Sequence, residues 1–477
     1  NWGYWGHSWW YWTDYFTEEA TVPGSEYPRH SDINHLHSAQ TWIGGVVGRD
    51  TLVTTAVAYD TEMEWEWWPE RAETGWIDTR TTTNFNTWGY EDAVSHQDII
   101  LNLIDYIVDE TVFDYLRGTP HIPLNVLVNQ KTYSWSISMV EDFVLFDVTI
   151  TNRGADTIKD MYYAIQSRPS VGLLVGTNDV WAYDNDCFCG FLSEVPSAYG
   201  CGLTDTLNMM WGANNDGDPV NGEFVDAITF DPDAPQDWVK SATSVHGNFF
   251  LDYPQGNPAY PVTLSYNWWS PYMEPPLDFG PRHLDDTRNF MTNGTGWPTG
   301  DANKYHVMRN GEIDYDMARI STISFLDPVW QMPPGEIAEL AGAGGLPAPS
   351  NLLSVGPWDL PPGFSMQIAH AFVCGQNFHT DPDNLSNLPA NVDRYYANLD
   401  FSDLINNASW AKRVYDNPGV DTDGDDYAGE FAVCDGDTVY YTGDGIPDWR
   451  VTQPPAAPEL WLKPIANGIH VRFNGQH

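Results

Sequence analysis

Basic residues are scarce. Lys and Arg total 21 against 66 Asp and Glu, a formal net charge of −45. Such a field repels phosphate backbones and anionic lipid surfaces. Nucleic acid is therefore excluded as an expected partner, and cations, calcium above all, become the natural small ones. No apolar run approaches the roughly 18–20 residues of a membrane-spanning helix, so no membrane insertion is expected. The five cysteines, Cys187, Cys189, Cys201, Cys374 and Cys434, make no disulfide framework. Cys187 or Cys189 is still able to pair with Cys201 across a short loop. No methionine and no basic leader precede Asn1, which is the expectation for a chain whose signal has been removed. Catalytic signatures are missing as well. There is no G-x-S-x-G elbow, phosphate-binding loop, H-E-x-x-H or dinucleotide fingerprint, and no C-x-x-C-H for covalent haem. No catalytic residue is assigned and no enzyme is expected. Among 66 acids, a glycosidase carboxylate pair can be drawn almost anywhere and means nothing without geometry.

What is present points to β-structure. The 477 residues give a prior of about three domains. With 42% hydrophobic and 14% aromatic residues there is material for sizeable cores. Phe143–Asn152 alternates, with Val144, Phe146, Val148 and Ile150 on one face. After the polar turn Arg153-Gly154-Ala155-Asp156, Met161–Ile165 resumes a strand, which reads as a hairpin within one sheet. Thr41–Ala58 reads as two strands about Gly48-Arg49-Asp50, and Met366–Cys374 as another strand after the turn Leu360-Pro361-Pro362-Gly363. Gln97–Glu110 has near-helical apolar spacing, although its β-branched residues leave strand open. Leu404–Tyr415 is the better helix, with Asp403 as its N-cap and Asn417-Pro418-Gly419 as its stop. The predicted fold class is mostly β, with multiple β-sandwich-like domains, long irregular loops and few short helices. Residues 1–130 form an aromatic-rich β region and 131–400 a central sandwich region. A helix with an Asp-rich calcium-loop segment spans 401–452, and a Pro-rich linker with a strand pair spans 453–477.

One loop occurs twice. Asn214-Asn215-Asp216-Gly217-Asp218 through Gly222-Glu223-Phe224 matches Asp421-Thr422-Asp423-Gly424-Asp425 through Gly429-Glu430-Phe431. Oxygen side chains at alternate positions can converge on one cation, and calcium wants six to eight oxygens. The expected ligands are Asp421, Asp423, Asp425 and Glu430 in one copy and Asn214, Asp216, Asp218 and Glu223 in the other. The alternative is an Asx-rich turn capped by its own side chains. Asp435-Gly436-Asp437 and the Asp444–Asp448 stretch read as solvated turns able to add ligands. His30, His35 and His37 lack a fourth ligand at fixed spacing, so a polar loop is preferred to zinc.

Aromatics are the other feature. Residues 1–16 hold nine of them, and Trp67-Trp68 and Trp268-Trp269 add pairs. Trp2, Trp5, Trp9, Trp10 and Trp12 are read as buried, in an assembly interface or on their own sheet. Sugar stacking, with polysaccharide as partner, is the competing reading.

Several strings resemble one family. Tyr133-Ser134-Trp135, Glu141–Asp147, Thr151–Gly154, Gly300–Tyr305, Leu353–Pro357 and Val414–Asp425 are similar to stretches of large secreted surface proteins of uncultured bacterial lineages. Those proteins carry fibronectin type III repeats and type IX secretion sorting domains. The strand pair of Glu459–Phe473, after Gln453–Pro458, resembles the start of such a repeat. The resemblance implies export to the cell surface and no activity. The expectation is a secreted extracellular structural protein, a filament, sheath or surface-layer subunit that pairs with itself and is stabilised by calcium. The alternative is a carbohydrate-binding or carbohydrate-processing surface protein.

Overall fold

The computed structural model describes residues 4–7, 25–29, 31, 33–55, 66–70, 77–83, 92–108, 112–114, 117–173, 187–215, 243–256, 258–269, 298–323, 349–451, 460–465 and 468–473. The protein is mostly β, with several antiparallel sheets and a few short helices. The chain forms two compact units, Asn1–Ala411 and Lys412–His477.

The first unit opens with β1 (Tyr4–His7), β2 (Ile33–Val47) and β3 (Asp50–Thr54), then β4 (Trp68–Pro69), β5 (Asp78–Arg80) and β6 (Gln97–Asp105). A small hairpin of β7 (Phe113–Asp114) and β8 (Thr119–Pro120) precedes β9 (Val126–Ser134), β10 (Phe143–Asn152) and β11 (Ile158–Leu173). Next come β12 (Cys187–Pro196), β13 (Thr204–Asn214), β14 (Val245–Asp252) and β15 (Thr263–Trp269), then helices α1 (Gly300–Arg309) and α2 (Ile320–Ile323). Strands β16 (Ser350–Leu360) and β17 (Ser365–Gly375) and helices α3 (Val392–Ala397) and α4 (Ser402–Tyr415) follow. The second unit holds two hairpins, β18 (Phe431–Cys434) with β19 (Asp437–Tyr440) and β20 (Leu460–Ile465) with β21 (Gly468–Phe473).

Two sheets make the sandwich. One runs β1-β2-β11-β16-β15 with β3 on β2, and the other runs β12-β13-β14-β17-β10-β9-β6-β4 with β5 on β6. Each sheet draws strands from both sides of residue 130. Side chains meet between them: the Tyr163 hydroxyl lies 3.2 Å from His370 Nε2, and His35 Nδ1 lies 3.4 Å from His246 Nδ1. The outer face of the smaller sheet is covered too. Trp42, Tyr162, Ala164, Trp269 and Leu352 pack there with Tyr305, Val307 and Met308 of α1.

The Thr41–Ala58 hairpin forms as β2 and β3, with Gly48 at a positive φ of 63°. Other expectations are resolved or corrected. Gln97–Asp105 is a strand, because β9 and the short β4 and β5 pair with it along its edges. The helix Ser402–Tyr415 is present, but Asp403 does not cap it. Its Oδ2 accepts the Gln376 N–H at 2.8 Å, whereas Asp400 takes the Ser402 N–H at 2.8 Å. Strands β10 and β11 are not a hairpin. β9 and β17 occupy both edges of β10, so the chain changes sheet after Asn152. It changes back at Leu360–Ser365, between β16 and β17. Asn152, fully buried, joins the two crossings. Its Nδ2 donates to Asp156 O at 2.9 Å and Leu360 O at 2.8 Å, and its Oδ1 accepts the Gly154 N–H at 2.8 Å. Its backbone pairs with the second turn, to Phe364 O at 3.0 Å and from Gly363 N at 2.8 Å. Asn152→Ala should therefore lower the unfolding free energy by roughly 2–5 kcal/mol, because three hydrogen bonds at about 1 kcal/mol each are lost and the buried Leu360 carbonyl is deserted. Urea unfolding reads this, and a loss under 1 kcal/mol, on the same scale, would refute the corner.

His370 supplies a second expectation. Its ring is fully buried, stacked on Phe146 at 4.5 Å between centroids, and burial pushes its pKa down to about 3. Between about 6.5 and 3 the unfolded chain takes up a proton that the folded chain refuses, so stability is lost as pH falls through that window. The slope is at most ~1.4 kcal/mol per pH unit for one such proton. Relative to His370→Phe, the native chain should lose stability in urea between pH 7 and pH 5; a pH-independent difference contradicts this.

Candidate metal centre

The second unit carries an acidic loop built from its turns. Asp435 (φ 54°) and Gly436 (φ 97°) form the two-residue turn of the β18–β19 hairpin, the left-handed pair that such hairpins favour. The hairpin returns the chain so that Asp444 comes beside Asp421 and Asp423, one carboxylate oxygen of each lying within 4.8 Å of the others. The remaining lone pairs are fixed by backbone donors. Asp421 Oδ1 accepts from Gly424 N at 2.7 Å and Asp425 N at 3.2 Å, and its Oδ2 from Asp426 N at 2.9 Å. Asp444 Oδ2 accepts from Thr422 N at 2.5 Å and Oδ1 from Ile446 N at 2.9 Å. These bonds, the one from Thr422 foremost, hold the Asp444 carboxyl below its usual range. Behind the loop, Asp416 Oδ2 accepts from Gly445 N at 2.9 Å. Burial, set against that bond, pushes the Asp416 carboxyl up to about 6.

The arrangement combines both readings of the loop, an Asx-rich turn whose carboxylates also converge. Three like charges at this spacing repel in water by about 1 kcal/mol per pair, which a bound cation removes. Of the residues expected as ligands, Asp421 and Asp423 come together. Asp425 instead accepts the Tyr427 N–H at 2.8 Å, and Glu430 accepts the Tyr441 hydroxyl at 2.7 Å. In the other copy Asn214 ends β13 and its Nδ2 donates to Val171 O at 3.0 Å. Asp216, Asp218 and Glu223 lie outside the described residues.

The aromatic residues divide similarly. Trp67, Trp268 and Trp269 are buried and Trp68 is half-buried, so the Trp268-Trp269 pair and Trp67 offer no open platform to a sugar ring. Trp5 stands on β1, an edge strand paired with β2, while Trp2, Trp9, Trp10 and Trp12 lie outside the described residues, as does His30. His35 donates to or accepts from Ser244 Oγ at 2.9 Å and, like His37, sits in the core. Cys187 and Cys189 are buried free thiols, so neither pairs with Cys201. Cys201 and Cys434 are both disulfide-bonded.

A second cluster, unforeseen from the sequence, lies buried in the first unit. His121 Nδ1 is 2.9 Å from Glu66 Oε1 and its Nε2 is 3.0 Å from Asp105 Oδ1. Asp105 Oδ2 accepts from Thr54 Oγ1 at 2.5 Å and Leu124 N at 2.7 Å, and Glu66 Oε2 from Thr55 N at 2.5 Å. Burial opposes charge on the imidazole, but Glu66 and Asp105 outweigh it and raise its pKa to about 11. Asp301, in the first turn of α1, has its carboxyl pushed well up by burial and then by the charges of Glu66 and Asp114. These residues are 55 and 180 positions apart in pairs of ligands, at Glu66, His121 and Asp301 (121 − 66 and 301 − 121), so no short motif announces them. Comparison with models of known protein families finds no match, and comparison with curated proteins finds none.

The acidic loop has a steric test. A Cβ on Gly443 would collide with the Asp416 carboxylate. Gly443→Ala should expel that side chain and destabilise the loop by about 1–3 kcal/mol, as overpacking does. Hydrogen exchange at the Gly445 amide should accelerate with it; unchanged protection there contradicts the packing.

Proposed function

We propose that this protein is an exported structural protein of a cell surface, a subunit that assembles with its own copies into a filament, sheath or layer and takes calcium in its acidic loop. The observation that carries the reading is the convergence of Asp421, Asp423 and Asp444 within 4.8 Å in a chain of net charge −45. Calcium accepts such oxygen donors and completes its shell with water and carbonyls. Disulfide-bonded cysteines at 201 and 434 suit an oxidising, extracellular compartment. The aromatic N-terminal segment supplies β1 at the rim of its sheet, and a rim strand is where another chain adds by backbone pairing.

The test is a melting curve and negative-stain micrographs of the purified protein in calcium and in EGTA. A ligand held only by the folded state at 100 times its Kd stabilises by about 2.7 kcal/mol, so EGTA should lower the melting temperature by several degrees, and Asp421→Asn should abolish that difference. Ordered assemblies are expected with calcium. A chain that melts identically in both buffers and stays monomeric overturns the reading.

A further inference from the structure

We propose that Glu66, His121 and Asp301 form a second, buried site for a divalent transition cation of the zinc class, chemically separate from the acidic loop. One donor atom from each of the three lies within 4.8 Å of the others. An ion bound tetrahedrally at about 2.1 Å needs donors roughly 3.4 Å apart, so small side-chain shifts suffice. The donors are one imidazole nitrogen and two carboxylates, a mixed set that suits zinc, whereas calcium takes oxygen alone.

Two further observations point to an ion. The far nitrogen of His121 lies 3.0 Å from Asp105 Oδ1, and Asp105 is anchored by Thr54 and the Leu124 N–H. A carboxylate fixed behind a histidine in this way orients the ring and raises its basicity toward a metal. Asp301 is the independent one. It is 3% exposed, and one of its carboxylate oxygens lies within 4.8 Å of the donor atoms of Glu66 and His121. Bringing two carboxyl groups and an imidazole together out of water is costly, and an ion at their common point would offset that cost.

The charges agree. Glu66, Asp105, Asp114 and Asp301 stand near the cations His121 and Arg117. Four carboxyl groups crowd one imidazole and one guanidinium, so the pocket is rich in donors for a cation. Bound there, the ion would tie α1, through Asp301, to the segments bearing Glu66 and His121.

The test is metal analysis of the whole protein, stripped with chelator and dialysed against Zn2+ with millimolar calcium present. One zinc per chain is expected. Asp301→Asn, nearly isosteric, should lower the affinity more than tenfold, Asp105→Asn by 10- to 100-fold, and Asp421→Asn should leave it unchanged. Circular dichroism reports whether each variant is folded. X-ray absorption on the zinc-loaded native protein reads the shell without any variant, and a nitrogen with oxygens is expected. No zinc retained, an all-oxygen shell, or full zinc binding by folded Asp301→Asn overturns the proposal and leaves the cluster an ion-paired lock. Failure here leaves the calcium reading untouched, because that rests on the other unit.

Discussion

The sandwich depends on a chain that changes sheet twice at one corner, with Asn152 holding both crossings. Once β9 and β17 have paired with β10, no edge is left for the strand that follows, and β11 is forced into the other sheet between β2 and β16. The crossings take turn peptides out of the strand ladders, and these must find other partners. One side-chain amide, with a donor end and an acceptor end, serves three of them. No apolar residue of the same size could do this.

That topology decides what the interior must tolerate. Both faces of the smaller sheet are covered, by the larger sheet on one side and α1 on the other, so alternation along a strand no longer separates inside from outside. Trp268 and Trp269 point to opposite faces and are both buried. Polar residues are buried for the same reason, and they pair across the layers, as His35 does with Ser244 and Tyr163 with His370. Burial then keeps these histidines neutral near pH 7, since His35 and His370 are both lowered to about 3.

The two carboxylate clusters show opposite answers to the same excess of negative charge. In the acidic loop the carboxylates are solvated and clasped by backbone N–H groups, so each has its donors whether or not an ion is present. In the buried cluster water is excluded, and an imidazole and a guanidinium are the charges that face four carboxylates. Desolvation makes every unbalanced charge there far more expensive than at the surface.

Local pattern was enough for the β class, for the strands Phe143–Asn152 and Met366–Cys374, for the Gly48 turn and for the helix ending at Tyr415, because period-two alternation, turn residues and helical spacing act within a few residues. It also found Asp421 and Asp423, whose spacing lies within one loop. Sheet membership was a different matter. The Arg153–Asp156 turn has the composition of a hairpin, yet whether its flanking strands pair with each other is decided by which partners are already taken. Gln97–Asp105, ambiguous by itself, became a strand through β9. Asp444 joined its loop only because the β18–β19 turn brought it back. Glu66, His121 and Asp301 share no segment at all, and their meeting exists only once α1 has settled on the sheet, since side chains so far apart in the chain converge through packing and not through any local rule.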